Sequence, residues 1–251
     1  MSRLRKWSLL GLIALGCCWW VYDSLATGSN FVRFSFNSYW QTTPVTIIHL
    51  ERFLAFADLQ TQLPQRTPLW NDVVARYGGT FMDVEFAKSL ELGSDHKEWD
   101  KASIFWMQRG SDYSHFAASV ALREHTSRHS TLVQSSVDVV VPITWPANSA
   151  NTQLVLLLDV KDRRRIESLR VKCATLARDD ATLIAAERGI ALRGKRFFDP
   201  NLVLIFGFES PLEMAGWFES IAIQTELALI DRDIDRMHAL VFHATSANPS
   251  H

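Results

Sequence analysis

Histidines supply the chain's clearest chances for chemistry. His49 ends the apolar run Val45–Leu50, where an imidazole could serve as an acid or a base. His115 precedes Phe116 in helical sequence and could overlook the same space. These two are the candidate catalytic residues. His125 and His129 stand at i, i+4, so both rings could face one metal ion. No glutamate follows His125 in an HExxH arrangement, and Arg123–His129 reads as well as a polar helix surface. No metal or other cofactor is assigned. Trp70, Tyr77, Trp106 and Phe116 could line a ligand pocket, together with Asp159, which takes the place of His49 in a second copy of the unit. Core packing is the simpler role for Trp70, whose spacing already fits an apolar helix stripe.

Other chemistries are poorly represented. There is no GxSxG, Walker loop, GxGxxG or paired catalytic carboxylate motif. With 26 basic and 27 acidic residues the net charge is −1, so nucleic acid is not an expected partner. The densest basic run, Arg163-Arg164-Arg165, opens a helical segment and suits a solvated face. Of three cysteines only Cys173 lies in the soluble part, which excludes an intradomain disulfide there and reads as a small buried residue.

The elements that must position these residues occur twice. Val45–Gly79 lies over Val155–Gly189 at a constant shift of 110, which sets Val45–Leu50 on Val155–Val160 and His49 on Asp159. At a shift of 99, Ile104–Met107 meets Val203–Phe206 and His115 meets Met214. Each copy reads strand, helix, strand, strand, helix, strand. In the first, strands are expected at Val45–Leu50, Thr80–Phe86, Ala102–Met107 and Val137–Ile143. A helical region is expected after the first strand, broken near Pro64 and restarting at Thr67 to end at Gly78-Gly79, and another from Asp112 to about Val133. In the second, strands are expected near Gln153–Val160, Ile190–Phe197, Leu202–Phe208 and His238–His243, with helices near Arg163–Ala177, Ala181–Arg188 and Leu212–Asp231. Several of these strands are apolar on both faces and therefore need cover on both sides. The other copy is the natural cover for the second face.

The N-terminus carries Arg3, Arg5 and Lys6, then the uncharged run Trp7–Tyr22 closed by Asp23. This is the layout of a signal peptide or an uncleaved anchor. Trp19, Trp20 and Tyr22 at its distal end favour a retained anchor. Cleavage after Ala26 and lipidation at Cys17 remain open. All three fates place the bulk of the chain across the membrane, periplasmic in a bacterium. Residues 1–26 are thus the membrane or signal segment, 27–44 a stalk rich in aromatics, 45–144 and 151–245 the two units, and 246–251 a tail.

The βαββαβ order is the ferredoxin-like plan. Two such units in tandem resemble the dimeric α/β-barrel superfamily, in which two ferredoxin-like sheets pair face to face. Tyr77-Gly78-Gly79, Phe116 and Val139-Val140-Val141-Pro142 resemble the pattern of a small uncharacterised family within it. The resemblance implies an α+β fold, a single-chain pseudo-dimeric barrel, monomeric as a chain, with a ligand site between sheet and helices. Members include cofactor-free monooxygenases, haem-handling enzymes and lactone isomerases, so the fold does not select a reaction. The expected function is binding of a small, mainly apolar molecule by an exported, membrane-anchored barrel. Two alternatives stand beside it: a cofactor-independent monooxygenase or isomerase with a histidine base, and a membrane-associated scaffold.

Overall fold

The computed structural model describes residues 37–54, 59–82, 84–90, 99–129, 132–145, 150–178, 181–192 and 199–244. The membrane or signal segment and the tail lie outside them. Among the described residues no helix is long and apolar enough to cross a membrane.

Doubly apolar sequence builds the middle of two sheets. β1 (Val45–Phe53) lies between β4 (Lys101–Met107) and β5 (Val133–Val141), all antiparallel. β6 (Thr152–Val160) lies in the same way between β9 (Leu202–Phe208) and β10 (Ile234–Ala244). One face of each sheet meets the other sheet, through Ile48, Leu50, Ile104, Val139 and Val141 on one side and Val155, Leu157, Val203, Ile205, Leu240 and Phe242 on the other. Burying such a side chain stabilises by roughly 1.5–3 kcal/mol, so this layer joins the halves strongly.

The second strand of each unit departs from expectation. Thr80–Phe86 is not one strand. It divides into β2 (Gly79–Phe81), paired with β4 of its own sheet, and β3 (Val84–Leu90), paired with β10 of the other. The second unit does the same. β7 (Thr182–Arg188) pairs with β9, and β8 (Ile190–Leu192) crosses to β5. The sheets therefore run β2-β4-β1-β5-β8 and β3-β10-β6-β9-β7. Ala181–Arg188, expected as a helix, is mostly strand β7. Its Ala-Glu-Arg sequence favours a helix locally, but pairing along β9 overrides that weak preference.

Helices cover the outer faces. α1 (Ser38–Thr42) is capped by Asn37, and Trp40 beside it packs on the first core, so part of the aromatic stalk belongs to the barrel. α2 (Leu59–Arg76) is continuous through Pro64, where a break is expected. It lays Trp70, Val73 and Val74 on the sheet and ends at Gly78, whose φ of 76° glycine adopts freely. A Cβ on Gly79 would lie 2.5 Å from Val74, so the second glycine lets helix and strand approach. Each expected long second helix is two. Ser119 separates α3 (Gly110–Ala118) from α4 (Val120–His129). In the second unit, after α5 (Ile166–Ala174), Ser220 separates α6 (Pro211–Glu219) from α7 (Ile221–Asp231). Both serines have extended backbone, and their hydroxyls accept the N–H of Leu122 and Ile223 to cap the next helix.

The exchange of β3 and β8 makes each half depend on the other. Residues 37–145 expressed alone would lose β8 and expose the apolar face of their sheet. The expected result is self-association, read by light scattering on a sizing column. A stable monomeric half would contradict this account of the core.

Candidate functional site: a buried histidine between two carboxylates

The helix-facing side of the first sheet is apolar through Val45, Ile47, Phe105, Met107 and Val140, and then it changes. His49 on β1 lies directly opposite Ser103 on β4 and Asp138 on β5. Glu51, two residues along the same face, lies opposite Lys101 and Ser136. Two successive rows of the sheet thus carry polar side chains beneath the helices.

These groups form one hydrogen-bonded chain. The Tyr113 hydroxyl on α3 donates to Asp138 Oδ2 at 2.7 Å. His49 Nδ1 donates to Asp138 Oδ1 at 2.5 Å, and Nε2 donates to Glu51 Oε1 at 3.1 Å. Exposure is 6% for His49, 3% for Glu51, 1% for Asp138 and 0% for Tyr113, so bulk water screens little of it. Burial by itself would drive the imidazole towards neutrality. The Glu51 and Asp138 carboxylates outweigh that and raise its pKa from 6.5 to about 9. At neutral pH His49 is therefore an imidazolium that donates at both nitrogens. In that state it is neither a base nor a metal ligand.

Aromatic rings enclose the chain. The Trp70 indole packs, tilted, against both His49 and His125, with ring centroids 4.7 and 5.2 Å away. Phe116 touches Trp70 at 5.7 Å and Tyr77 at 5.9 Å. Trp70 Nε1 is buried without a hydrogen-bond partner among the described residues.

Of the residues expected at the site, the fold gathers His49, Trp70, Phe116 and Tyr77. Three others go elsewhere. His115 is exposed on α3, and the residue of that helix that reaches inward is Tyr113, two positions earlier. Trp106 alternates with Phe105 and Met107 and so leaves the opposite face of the sheet from Trp70. Asp159 is half-buried in the second unit, where burial and the charges of Asp199 and Asp235 raise its pKa to about 6. His125 is held against Trp70, and the His129 side chain lies outside the described residues. Arg163 and Arg165 pair with Asp199 and Asp233, which accounts for the basic run. Burial lifts the Cys173 thiol to about 12, leaving it protonated and unreactive.

The duplication needs a different register from the one its apolar runs suggest. β1 maps on β6 at a shift of 107, and β4 on β9 at a shift of 101. Moving the first shift from 110 to 107 turns every side chain of the strand to its other face. His49 then corresponds to Leu156, Glu51 to Leu158, Asp138 to Ala239 and Tyr113 to Met214. Ser103, Lys101 and Ser136 correspond to Leu204, Leu202 and Met237. All seven positions of the second unit are apolar.

No family model matches the sequence, and no curated protein matches it. Among solved structures, an anthrone oxidase-like protein superposes with a TM-score of 0.52 at 9% identity, over 85% of this chain and 98% of its own. The likeness is one of fold: two five-stranded antiparallel sheets packed face to face with helices on their outer sides. A mutant chlorite dismutase from Candidatus Nitrospira defluvii is also similar, at 11% identity and a TM-score of 0.40, over 80% of this chain and 91% of its own. A Rhodopseudomonas palustris protein of unknown function, 18% identical with a TM-score of 0.37, covers 46% of this chain and 92% of itself. Among the described residues, the helix-facing rows at these positions are charged in the first unit and apolar in the second.

Asp138 and Glu51 were legible in principle. A single acid in Val137-Asp138-Val139-Val140-Val141, and another two residues after His49, are costly on buried strands and call for partners.

Proposed function

We propose that the first unit binds a small, mainly apolar molecule between its sheet and helices, with a polar end of that molecule set against His49, Glu51, Asp138 and Tyr113. The second unit completes the barrel as scaffold. One observation supports this reading. The equivalent rows of the second unit are wholly apolar, so the fold does not need charge at these positions. Buried charge commonly destabilises relative to well-packed apolar groups, and a use beyond packing explains its presence here. The N-terminal run Trp7–Tyr22 would hold the barrel at the membrane on the exported side. An enzyme with His49 as base fits less well, because the imidazole already carries its proton at neutral pH.

The test is native mass spectrometry of the full chain from its own host, beside a variant given the residues of the second unit: His49→Leu, Glu51→Leu, Tyr113→Met and Asp138→Ala. A discrete added mass on the wild type, lost from the variant, is the expected outcome. The same mass on both, or none on the wild type, would count against a ligand site here.

A further inference from the structure

We infer that two copies of this chain pair through the outer face of α7, antiparallel and about a two-fold axis near Thr225, to give a dimer of barrels. The inference is independent of the ligand site proposed above.

The duplication again supplies the comparison. α3 and α4 correspond to α6 and α7 at a shift of 101, with Ser119 on Ser220, and each pair covers the outer side of a sheet. The places of Ser111, Glu124 and Ser127 hold Leu212, Thr225 and Ala228 in the second unit. There the surface is less polar although it faces outward. Leu212 is 82% exposed, Ile221 85% and Leu229 49%. Large apolar groups exposed together mark a contact surface.

The exposed residues of α7 form a seam. Its buried stripe is Ile223, Leu227 and Ile230. At 3.6 residues per turn, Ile221, Thr225, Ala228 and Arg232 fall on the opposite side. They alternate by four and three positions, the spacing by which one helix seats against another. Arg232 keeps helical backbone as the C-cap, so it continues the seam. The Thr225 hydroxyl donates to the Ile221 carbonyl of its own helix at 2.7 Å, so covering Thr225 strands no donor.

The ends of the seam decide what covers it. Glu219 lies just before it and Arg232 closes it; both are exposed, and neither forms an ion pair among the described residues. A parallel copy would set like charges together. An antiparallel copy brings each Glu219 near the other copy's Arg232, twice by symmetry, and opposes the two helix dipoles. Ile221 then meets Leu229, Ala222 meets Ala228, and Thr225 meets itself. A bilayer would cover the same apolar groups but draw both charges out of water without partners. α6 and α7, about 13 and 16 Å long and about 10 Å wide, present roughly 300 Å². That is below the roughly 800 Å² per partner of a standard interface. The pairing is therefore weak between free chains and gains strength when copies share one membrane, the role proposed for Trp7–Tyr22.

The experiment is cysteine crosslinking of the full chain in intact cells of its own host, with linked peptides identified by mass spectrometry. Thr225→Cys should form a disulfide with its counterpart in the other copy, whereas Glu124→Cys, at the matching place of the first unit, should not. Adding Ile221→Lys should lower the Thr225→Cys linkage about tenfold, as expected for losing one buried isoleucine contact. That residue is exposed in the single chain, so folding is not at stake. Glu219→Arg should also weaken linkage, and Glu219→Arg with Arg232→Glu should restore it. Equal linkage at Thr225→Cys and Glu124→Cys overturns the pairing, as does linkage unmoved by Ile221→Lys. Failure of the exchanged pair to restore linkage overturns the antiparallel order. A Thr225→Cys found joined to a different protein, or carrying a fluorescent label quenched by lipid-borne quenchers, overturns the second copy as the occupant.

Discussion

Replacing His49 alone with leucine should lower stability by about 3–5 kcal/mol, the usual cost of removing one member of a buried charged set. The reason is what remains. Asp138 and Glu51 would be left buried without the imidazolium that faces both of them. Asp138 would keep the Tyr113 hydroxyl, whereas Glu51 would lose its bond to His49. The fourfold change to Leu, Leu, Met and Ala should behave in the opposite way, returning to within about 1 kcal/mol of wild type or exceeding it. The second unit already packs those residues in the same architecture, at Leu156, Leu158, Met214 and Ala239. Lys101 is half-buried, so its ammonium can still reach water by its long stem. Urea unfolding of the three proteins checks this. A fourfold variant no more stable than His49→Leu would mean that the polar rows are structural.

Stability should also fall as the solution turns alkaline. The folded pKa of His49 lies at about 9 against 6.5 for an ordinary histidine, so the folded chain holds this proton more tightly than the unfolded chain does. The resulting stabilisation is complete below pH 6.5 and is lost as pH rises through 9. Each unit of pKa is worth about 1.4 kcal/mol, so the swing is about 3 kcal/mol. Exposure of only 6% means that solvent screening takes little of it away. Unfolding midpoints across that window should decline for the wild type and stay nearly level for the fourfold variant, the difference separating the His49 cluster from titrating groups elsewhere in the chain. Equal slopes for both proteins would place the proton elsewhere.

Parts of this protein were written plainly along the chain. The runs Ile104–Met107, Val155–Leu158 and Leu202–Phe206 announce strands covered on both faces, because polar sequence could not be buried there. The stripe of Trp70, Val73, Val74 and Tyr77, ended by two glycines, announces the helix that covers the first sheet. His49 and its aromatic neighbours could be picked from those patterns alone.

The partners of His49 could not, and neither could the route of the second strands. Strand β7 is built from residues that favour helix locally, and only the long-range ladder along β9 makes them extended. The ferredoxin-like order and its duplication were determined by the sequence itself, through apolar runs of the right length at repeated spacing. Register was decided by the tertiary structure. A strand buried on both faces loses the alternation that would tell its faces apart, so several offsets satisfy its hydrophobicity equally. Cross-strand pairing breaks that degeneracy. It sets Asp138, rather than any residue near it in the chain, against His49, and it gives the matching place in the second unit to Leu156 instead of Asp159.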